Sequence, residues 1–283
     1  HTHQRMRSLN FFFADNWKVS PTFSLNWGVR WEFQTPPVVS GASTTLQKSE
    51  YNDLSTFHEA TNQLVIGGKT GTQIYPHPIT GAANPISVPG GGSLNPVVPR
   101  GLMYNDMNDF APRFGFAWSP ADTGLVIRGG YGVFYAPHIA AYNWTSRGLA
   151  YPFVIPQSFS GASGTPNIIL DSTPFPVKPG SKDAVIVRAV NLNARTGYMQ
   201  HFNLGFQSQI GSNMVLDLTY AGSKGTKLRN TRNINQAFQG NLLGQGDDPS
   251  KWTSVSSRRP FQGWGSINSR EKSAASTYHS LQA

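Results

Sequence analysis

The chain has 283 residues, of which 38% are hydrophobic and 13% are charged, and it contains no cysteine. The missing cysteine excludes disulfide bonds, thiol catalysis and cysteine-ligated zinc. No stretch is apolar over the roughly 20 residues that a membrane-spanning helix needs. The formal net charge of +9 makes nucleic-acid binding the first interpretation to test.

The segment from Phe23 to Gln34 alternates apolar and polar residues without a break. A period of two is typical of a β-strand with one apolar and one polar face. This segment is longer than the usual strand of about 5 to 6 residues. It reaches the roughly 9 to 11 residues that a tilted strand needs to cross a bilayer. We therefore interpret it as a membrane-spanning strand.

Six further segments fit the same interpretation. In chain order, the predicted spanning strands cover roughly residues 8–19, 22–34, 109–119, 124–135, 198–210, 214–222 and 276–283. Short segments of turn-forming residues join them in pairs, at 20–22, 119–124 and 211–213. The connectors between pairs are long, roughly 35–108, 136–197 and 222–277. Residues 263–272 fit either a further strand or part of the last connector.

The contrast between short turns and long connectors indicates the class of protein. Compact soluble domains rarely contain irregular loops longer than about 12 to 15 residues. Outer-membrane barrels combine short periplasmic turns with long outer loops. The predicted fold is therefore all-β: an open, curved antiparallel sheet of long consecutive hairpins, which is a partial transmembrane β-barrel with long outer loops over residues 1–283.

Charge placement supports a lipid-facing apolar side. On the predicted strands the charged residues occupy the polar positions of the alternation, namely Arg30, Glu32, Arg113, Arg128 and Asp217. A Lys or Arg on the lipid face near the midplane would cost about 2 to 4 kcal/mol. Asp15 is the exception, and we expect it close to the turn, where this penalty falls toward zero. The aromatic residues expected in interfacial girdles are Trp17, Phe23, Trp118 and Tyr220.

The basic residues that cluster lie in the predicted outer loops, at Lys224, Lys227, Arg229, Arg232, Arg258 and Arg259. Anionic lipid headgroups attract such residues. The predicted partner of this charge is outer-membrane lipid, and no nucleic-acid partner is expected.

Catalytic and metal-binding patterns are weak. Gly129–Gly132 precedes no helical pattern and is not expected to bind phosphate. The pair His1 and His3 lies at the chain end, and Asp106, Asn108 and Asp109 lack the spacing of an EF-hand. No Ser, His and Asp set shows a nucleophile elbow. We predict no enzyme activity, no cofactor and no metal site.

Several segments together resemble one family. Phe12–Pro21 with Leu25–Glu32 resembles a barrel hairpin of TonB-dependent outer-membrane transporters, specifically the Oar-like group. The resemblance continues in order through Phe110–Trp118, Arg128–Tyr135, Tyr220–Gly225 and Tyr278–Gln282. It covers nearly the whole chain, and the segments are specific only in combination.

The resemblance implies uptake of a bulky nutrient or chelate across the bacterial outer membrane. Uptake would be driven by the TonB complex of the inner membrane, acting on a plug inside the barrel. The chain shows neither a plug domain nor a TonB-contacting segment, and about seven spanning strands are visible where plugged transporters have about 22. We expect an internal fragment, whose partners are the remainder of its own barrel, the plug and, through the plug, TonB.

A second function class stays open at this stage. The chain fits a soluble or surface-attached all-β module that binds a glycan-type ligand through loop aromatics. In a β-sandwich the apolar side chains of the strands would pack against a second sheet, whereas in a membrane barrel they would face lipid. Under either function, the candidate ligand contacts are residues of the outer loops, namely Tyr142, Trp144, Arg147, Trp252 and Trp264.

Overall fold

The computed structural model describes residues 3–40, 51–61, 63–68, 73–74, 99, 101–121, 123–136, 187–261 and 264–283. These residues form thirteen strands: β1 His3–Arg5, β2 Ser8–Ser20, β3 Phe23–Gln34, β4 Val38–Ser40, β5 Tyr51–His58, β6 Gln63–Gly68, β7 Gln73–Ile74, β8 Asp109–Trp118, β9 Leu125–Ala136, β10 Val187–Val190, β11 Gly197–Ile210, β12 Met214–Asn233 and β13 Ile267–Gln282. Short 3-10 turns occur at Glu59–Thr61, Gly240–Leu243, Pro249–Lys251 and Ser256–Arg258. Within these ranges, no helix has the length and apolar character needed to span a membrane.

Eight strands form the main sheet, in the order β10-β13-β12-β11-β9-β8-β3-β2. From β2 to β13, each pair of neighbours is antiparallel. Only β10 is parallel, pairing with the first residues of β13. The sheet is open, with β2 at one edge and β10 at the other. The predicted all-β fold of long consecutive hairpins is confirmed.

Strand ends differ from the prediction at β12 and β13. Strand β12 continues to Asn233, beyond the predicted end at 222, and β13 begins at Ile267 rather than near 276. Residues from Ile267 onward therefore belong to a strand. The pairing of β12 with β13 shifts register twice, between Gly225 and Leu228 and between Leu228 and Asn230. Each bulge inserts a residue and interrupts the alternation of faces, so the period-two pattern is lost there.

The register brings the apolar residues onto one face, called here the apolar face. Directly paired residues point to the same side of a sheet. Trp27 pairs with Phe114, Phe114 with Tyr131, and Tyr131 with Phe202. The opposite, polar face carries a row of small and amide residues, formed by Asn16, Asn26, Gly115, Gly130, Asn203, Ala221 and Ser280.

Two positions of the apolar face are occupied by glycine, because an aromatic ring of the neighbouring strand lies over each of them. A Cβ atom at Gly222 would come within 2.3 Å of the Phe202 ring, and one at Gly129 within 2.7 Å of the Phe116 ring. Both distances are far below van der Waals contact, so any larger residue would displace the ring. The rings thus cover the apolar face where these two positions have no side chain.

The position of Asp15 differs from the expectation that it lies beside the turn. Asp15 pairs directly with Trp27, four residues along β3 from Phe23. A register shift between Lys18 and Ser20 precedes the turn. The Asp15 carboxylate consequently lies on the apolar face, at the level of Trp27 and away from the strand end.

Candidate functional site at the outer rim of the sheet

The three long connectors pack together at the sheet end opposite the short turns. Their shared core consists of Phe57, Val187, Ala189, Ile234, Trp264 and Ile267, with Phe261 packed against it. The Phe57 ring contacts Phe261 and Trp264 edge-on, with centroid distances of 5.0 and 5.4 Å. Because Phe57, Val187 and Trp264 come from three different connectors, this rim assembly is one packed body.

Buried hydrogen bonds hold the rim assembly together. The side-chain nitrogen of Asn235 lies 2.8 to 3.1 Å from the carbonyl oxygens of Phe261, Trp264 and Gly265. The backbone N–H of Phe261 donates to Asn235 Oδ1 at 2.8 Å. Asn235 is fully buried. A buried amide with these partners fixes the path of the last connector before β13 begins.

Asp106 links the first connector to the second. Its carboxylate accepts hydrogen bonds from Arg195 Nη1 at 2.7 Å and from the Thr196 backbone N–H at 2.9 Å. Burial by itself raises the pKa of Asp106, but the hydrogen bonds from Thr196, Arg195 and Asn108 outweigh it and hold the pKa below its usual value. The Asp106 carboxylate is therefore engaged in an ionic link between connectors.

A small cavity with a mixed polar and apolar lining lies where the polar face meets the rim assembly. Its volume is about 130 Å³, room for a small polar group or about four water molecules. Arg30 and Glu32 form an ion pair at its wall, with Nε and Oε1 3.0 Å apart. The other polar side chains in its lining belong to Ser8, Asn10, Gln34, Asp109, Tyr135 and Thr196. The polar side chains of this cavity can donate hydrogen bonds to a polar solute and accept hydrogen bonds from it.

Further polar groups lie on the polar face of the central strands. Arg128 Nη2 donates to Gln207 Oε1 at 2.7 Å and lies 3.5 Å from Asp217 Oδ2. The guanidinium of Arg113 lies 4.7 Å from the centroid of the Phe134 ring, which contacts His201 edge-on. These groups can bind polar surfaces that pass along the sheet. Among the described residues, no group of three or more His, Cys, Asp or Glu is arranged to hold a metal ion.

The five sequence-predicted ligand contacts have different positions. Tyr142, Trp144 and Arg147 lie outside the described residues. Trp252 is half-buried, donates from Nε1 to the Gly246 carbonyl at 2.9 Å and stacks under Arg258. Trp264 is only 2% exposed and belongs to the core of the rim assembly. Ligand contact by these residues stays a prediction.

Sequence reasoning did not find the rim cavity. It placed Arg30 and Glu32 on the polar parity, but Asp109 and Thr196 reach the same cavity from β8 and the second connector. The only signal for this cavity in the sequence is that several strands carry polar residues at the ends that join the long connectors.

A family comparison shows the class of fold. The family described as "Outer membrane beta barrel domain" matches residues 1–283. No curated protein matches the chain.

Three solved structures are similar to the chain. The siderophore receptor PirA from Pseudomonas aeruginosa is 9% identical over 98% of this chain and 39% of its own, with a TM-score of 0.34. The Serratia marcescens hemophore receptor HasR, in a complex with its hemophore HasA and heme, is 10% identical over 99% and 39%, with a TM-score of 0.34. The copper transporter OprC is 12% identical over 99% and 35%, with a TM-score of 0.26. The chain thus spans less than half of the length of each of these proteins.

The family match extends over the whole chain. It agrees with an open sheet of membrane-length strands that has one apolar and one polar face. This chain belongs to the outer-membrane β-barrel domain family, and its place is the bacterial outer membrane.

Proposed function

We propose that the chain is the barrel segment of a TonB-dependent active transporter that takes up a bulky nutrient or chelate across the outer membrane. The observation that carries the proposal is the arrangement of the sheet. Strands β8, β9, β11 and β12, of 10 to 20 residues each, present a polar face that ends at a packed rim of long connectors. A polar wall under outer loops is the architecture of a wide, solute-conducting barrel. The resemblance of Phe12–Pro21 and Arg128–Tyr135 to the Oar-like group supports the finer assignment.

The open edges support closure by further strands. Within the described residues, β2 has a strand neighbour on one side only. Unpaired backbone groups are too costly in hydrocarbon for an open edge to face lipid. We therefore assign the chain to a longer barrel, whose remaining strands, plug domain and TonB contact lie in the rest of the polypeptide.

Solute recognition is assigned to the outer side. The cavity beside Arg30 and Glu32 lies at the rim, where a solute entering from outside first meets the barrel wall. The connectors supply Tyr142, Trp144, Arg147, Trp252 and Trp264 as candidate contacts. The packing of Trp264 makes it the weakest of these candidates, because its ring is 2% exposed. No enzyme activity is proposed.

The alternative, a soluble or surface-attached glycan-binding module, would need a second sheet over the apolar face. Phe114 and Leu216 on that face are 47% and 49% exposed, so the described residues supply no such cover. Membership of the outer-membrane barrel family also favours lipid as the cover of this face.

The proposal is tested with the full-length polypeptide that carries this chain. It is folded into detergent micelles and titrated with the purified periplasmic domain of TonB, and binding is measured by calorimetry. We expect saturable binding to the folded protein and none to the urea-unfolded protein. A folded barrel that does not bind this domain would contradict TonB-dependent transport while leaving the barrel fold intact.

A further inference from the structure

Among the described residues of β2 and β3, the apolar face carries one carboxylate, that of Asp15. Its direct partner across the β2–β3 hairpin is Trp27, and the diagonal neighbours on β3 are Leu25 and Val29. On its own strand the nearest residues of the same face are Phe13 and Trp17. Asp15 is therefore surrounded by apolar side chains on every side that the hairpin provides.

The depth of Asp15 follows from the register. Phe23 is the first residue of β3 after the short turn, and the Asp15–Trp27 pair lies four residues further along. With about 3.3 Å per residue and a strand tilt of roughly 40°, this pair lies about 10 Å above the level of Phe23. The lipid-facing band of such barrels is about 25 Å tall. Asp15 thus lies near the middle of the hydrocarbon layer.

Within the described residues, the Asp15 carboxylate takes part in no hydrogen bond or ion pair. The side of β2 that faces away from β3 also has no neighbouring strand there. Phe12, three residues from Asp15 along β2 and on the polar face, is 82% exposed, as expected for an edge strand. The side on which the Asp15 carboxylate has room for a partner is therefore the side on which β2 has no neighbouring strand among the described residues.

We propose that the strand that pairs with the free edge of β2 carries a Lys or Arg on the apolar face beside Asp15, and that the two form an ion pair within the membrane. An ionised side chain at this depth is expensive unless it has a partner. A residue directly opposite on an antiparallel strand has its Cβ about 4.5 to 5.5 Å away, and diagonal residues lie within reach of a long basic side chain. The occupant is a strand of the same barrel, so the inference rests on the proposed closure by further strands.

This pair sets the register of the closing strand. A slip of one residue would turn the cation to the polar face, and a slip of two would move it from the directly opposite position to a diagonal one, where the ion pair is longer. The other residues of the apolar face on β2, such as Phe11, Phe13 and Trp17, accept any apolar neighbour and do not discriminate between registers. The Asp15 pair therefore supplies the register specificity that the apolar contacts lack.

The test measures the sign of a stability change. The full-length polypeptide is folded into lipid vesicles, and urea titrations compare the natural protein with Asp15→Asn and Asp15→Leu. If Asp15 is paired with a cation, both substitutions leave that cation unpaired and lower the ratio of folded to unfolded protein by about tenfold or more. If Asp15 faces lipid alone, removing its charge raises the ratio or leaves it unchanged, and the proposal is overturned. Phe13→Leu, on the same face of β2, is the control for apolar repacking and should have a much smaller effect.

A second measurement identifies the partner. Each Lys and Arg of the full-length barrel outside this chain is replaced by Leu in the Asp15→Leu background. We expect one such replacement to restore the folded fraction, because it removes the unpaired cation. If no replacement restores the folded fraction, the proposed ion pair is wrong. If an Asp15→Cys variant forms a disulfide between two molecules, the residue beside Asp15 comes from a second copy of the protein and not from the same barrel. Failure of the natural protein to insert would count against barrel closure itself, which keeps the two proposals distinguishable.

Discussion

Phe57 and Trp264 meet edge to face, with ring centroids 5.4 Å apart, although they belong to the first and the last of the three long connectors. Five strands of the main sheet, β8 to β12, lie between them in the chain. Their contact makes the connectors a cooperative unit, because removing either ring opens a core that all three connectors share.

Trp264→Ala should destabilise the rim assembly by about 3 to 5 kcal/mol, the usual cost of removing a large buried aromatic side chain. The barrel strands should remain folded, because the core lies beyond the membrane-spanning residues. Hydrogen exchange of the connector amides, measured separately from the strand amides, checks this. Leu242→Ala is the control, because Leu242 is 72% exposed. Equal loss of protection in the two variants would contradict a core role for Trp264.

Leu204→Arg and Asn203→Arg should differ although they are neighbours in sequence. Leu204 lies on the apolar face opposite Tyr220, and an Arg there should cost about 2 to 4 kcal/mol in the membrane. Asn203 lies on the polar face between Gly130 and Ala221, where an Arg has room and water. Folding yields of the full-length barrel in lipid vesicles give the comparison. Similar yields would show that the assignment of the two faces is wrong.

Gly222→Ala should lower stability by about 1 to 3 kcal/mol, because the new methyl group overlaps the Phe202 ring. Phe202→Leu in the same molecule should recover much of this loss, since the smaller side chain can leave the space over position 222. Urea titrations of the single and double variants measure the coupling. Additive effects would mean that the ring does not cover this glycine.

The rim assembly should loosen in acid. The folded-state pKa of Asp106 is lowered, so its contribution to stability is fully present above the unfolded pKa of about 3.9 and is lost as the pH falls through the folded value. Limited proteolysis of the connectors between pH 6 and pH 3 should show increasing cleavage. Asp106→Asn should be cleaved more readily at pH 6 and should show a weaker dependence on pH. A variant with the same pH profile as the natural protein would assign the acid effect to another group.

Replacing Tyr142, Trp144 and Arg147 together by Ala should reduce solute uptake by the intact transporter while leaving insertion unchanged. These side chains offer aromatic and guanidinium contact surface, and the connector that carries them is anchored separately by Val187 and Ala189 in the rim core. Uptake assays in cells with matched levels of folded barrel test this. Unchanged uptake would remove these three residues from the recognition site.

The sequence by itself determined the class of fold and the two faces of the sheet. Alternation over Phe23–Gln34 and its counterparts is a local signal, because side chains of a strand point to opposite sides with a period of two. The same signal, combined with short turns and long connectors, predicted hairpins in the observed order. It also placed Arg30, Glu32, Arg128 and Asp217 on the polar face, where the structure has them.

Only the tertiary structure decided which distant residues meet. The depth of Asp15 depends on its register with β3, and the extension of β12 and β13 depends on two bulges that interrupt the alternation. The burial of Trp264 depends on Phe57 and Val187, which arrive from other connectors. A local pattern shows which face of the sheet a residue occupies. Register and packing, in contrast, are set by the summed contacts of residues far apart in the chain, and an alternation of period two carries no information about those contacts.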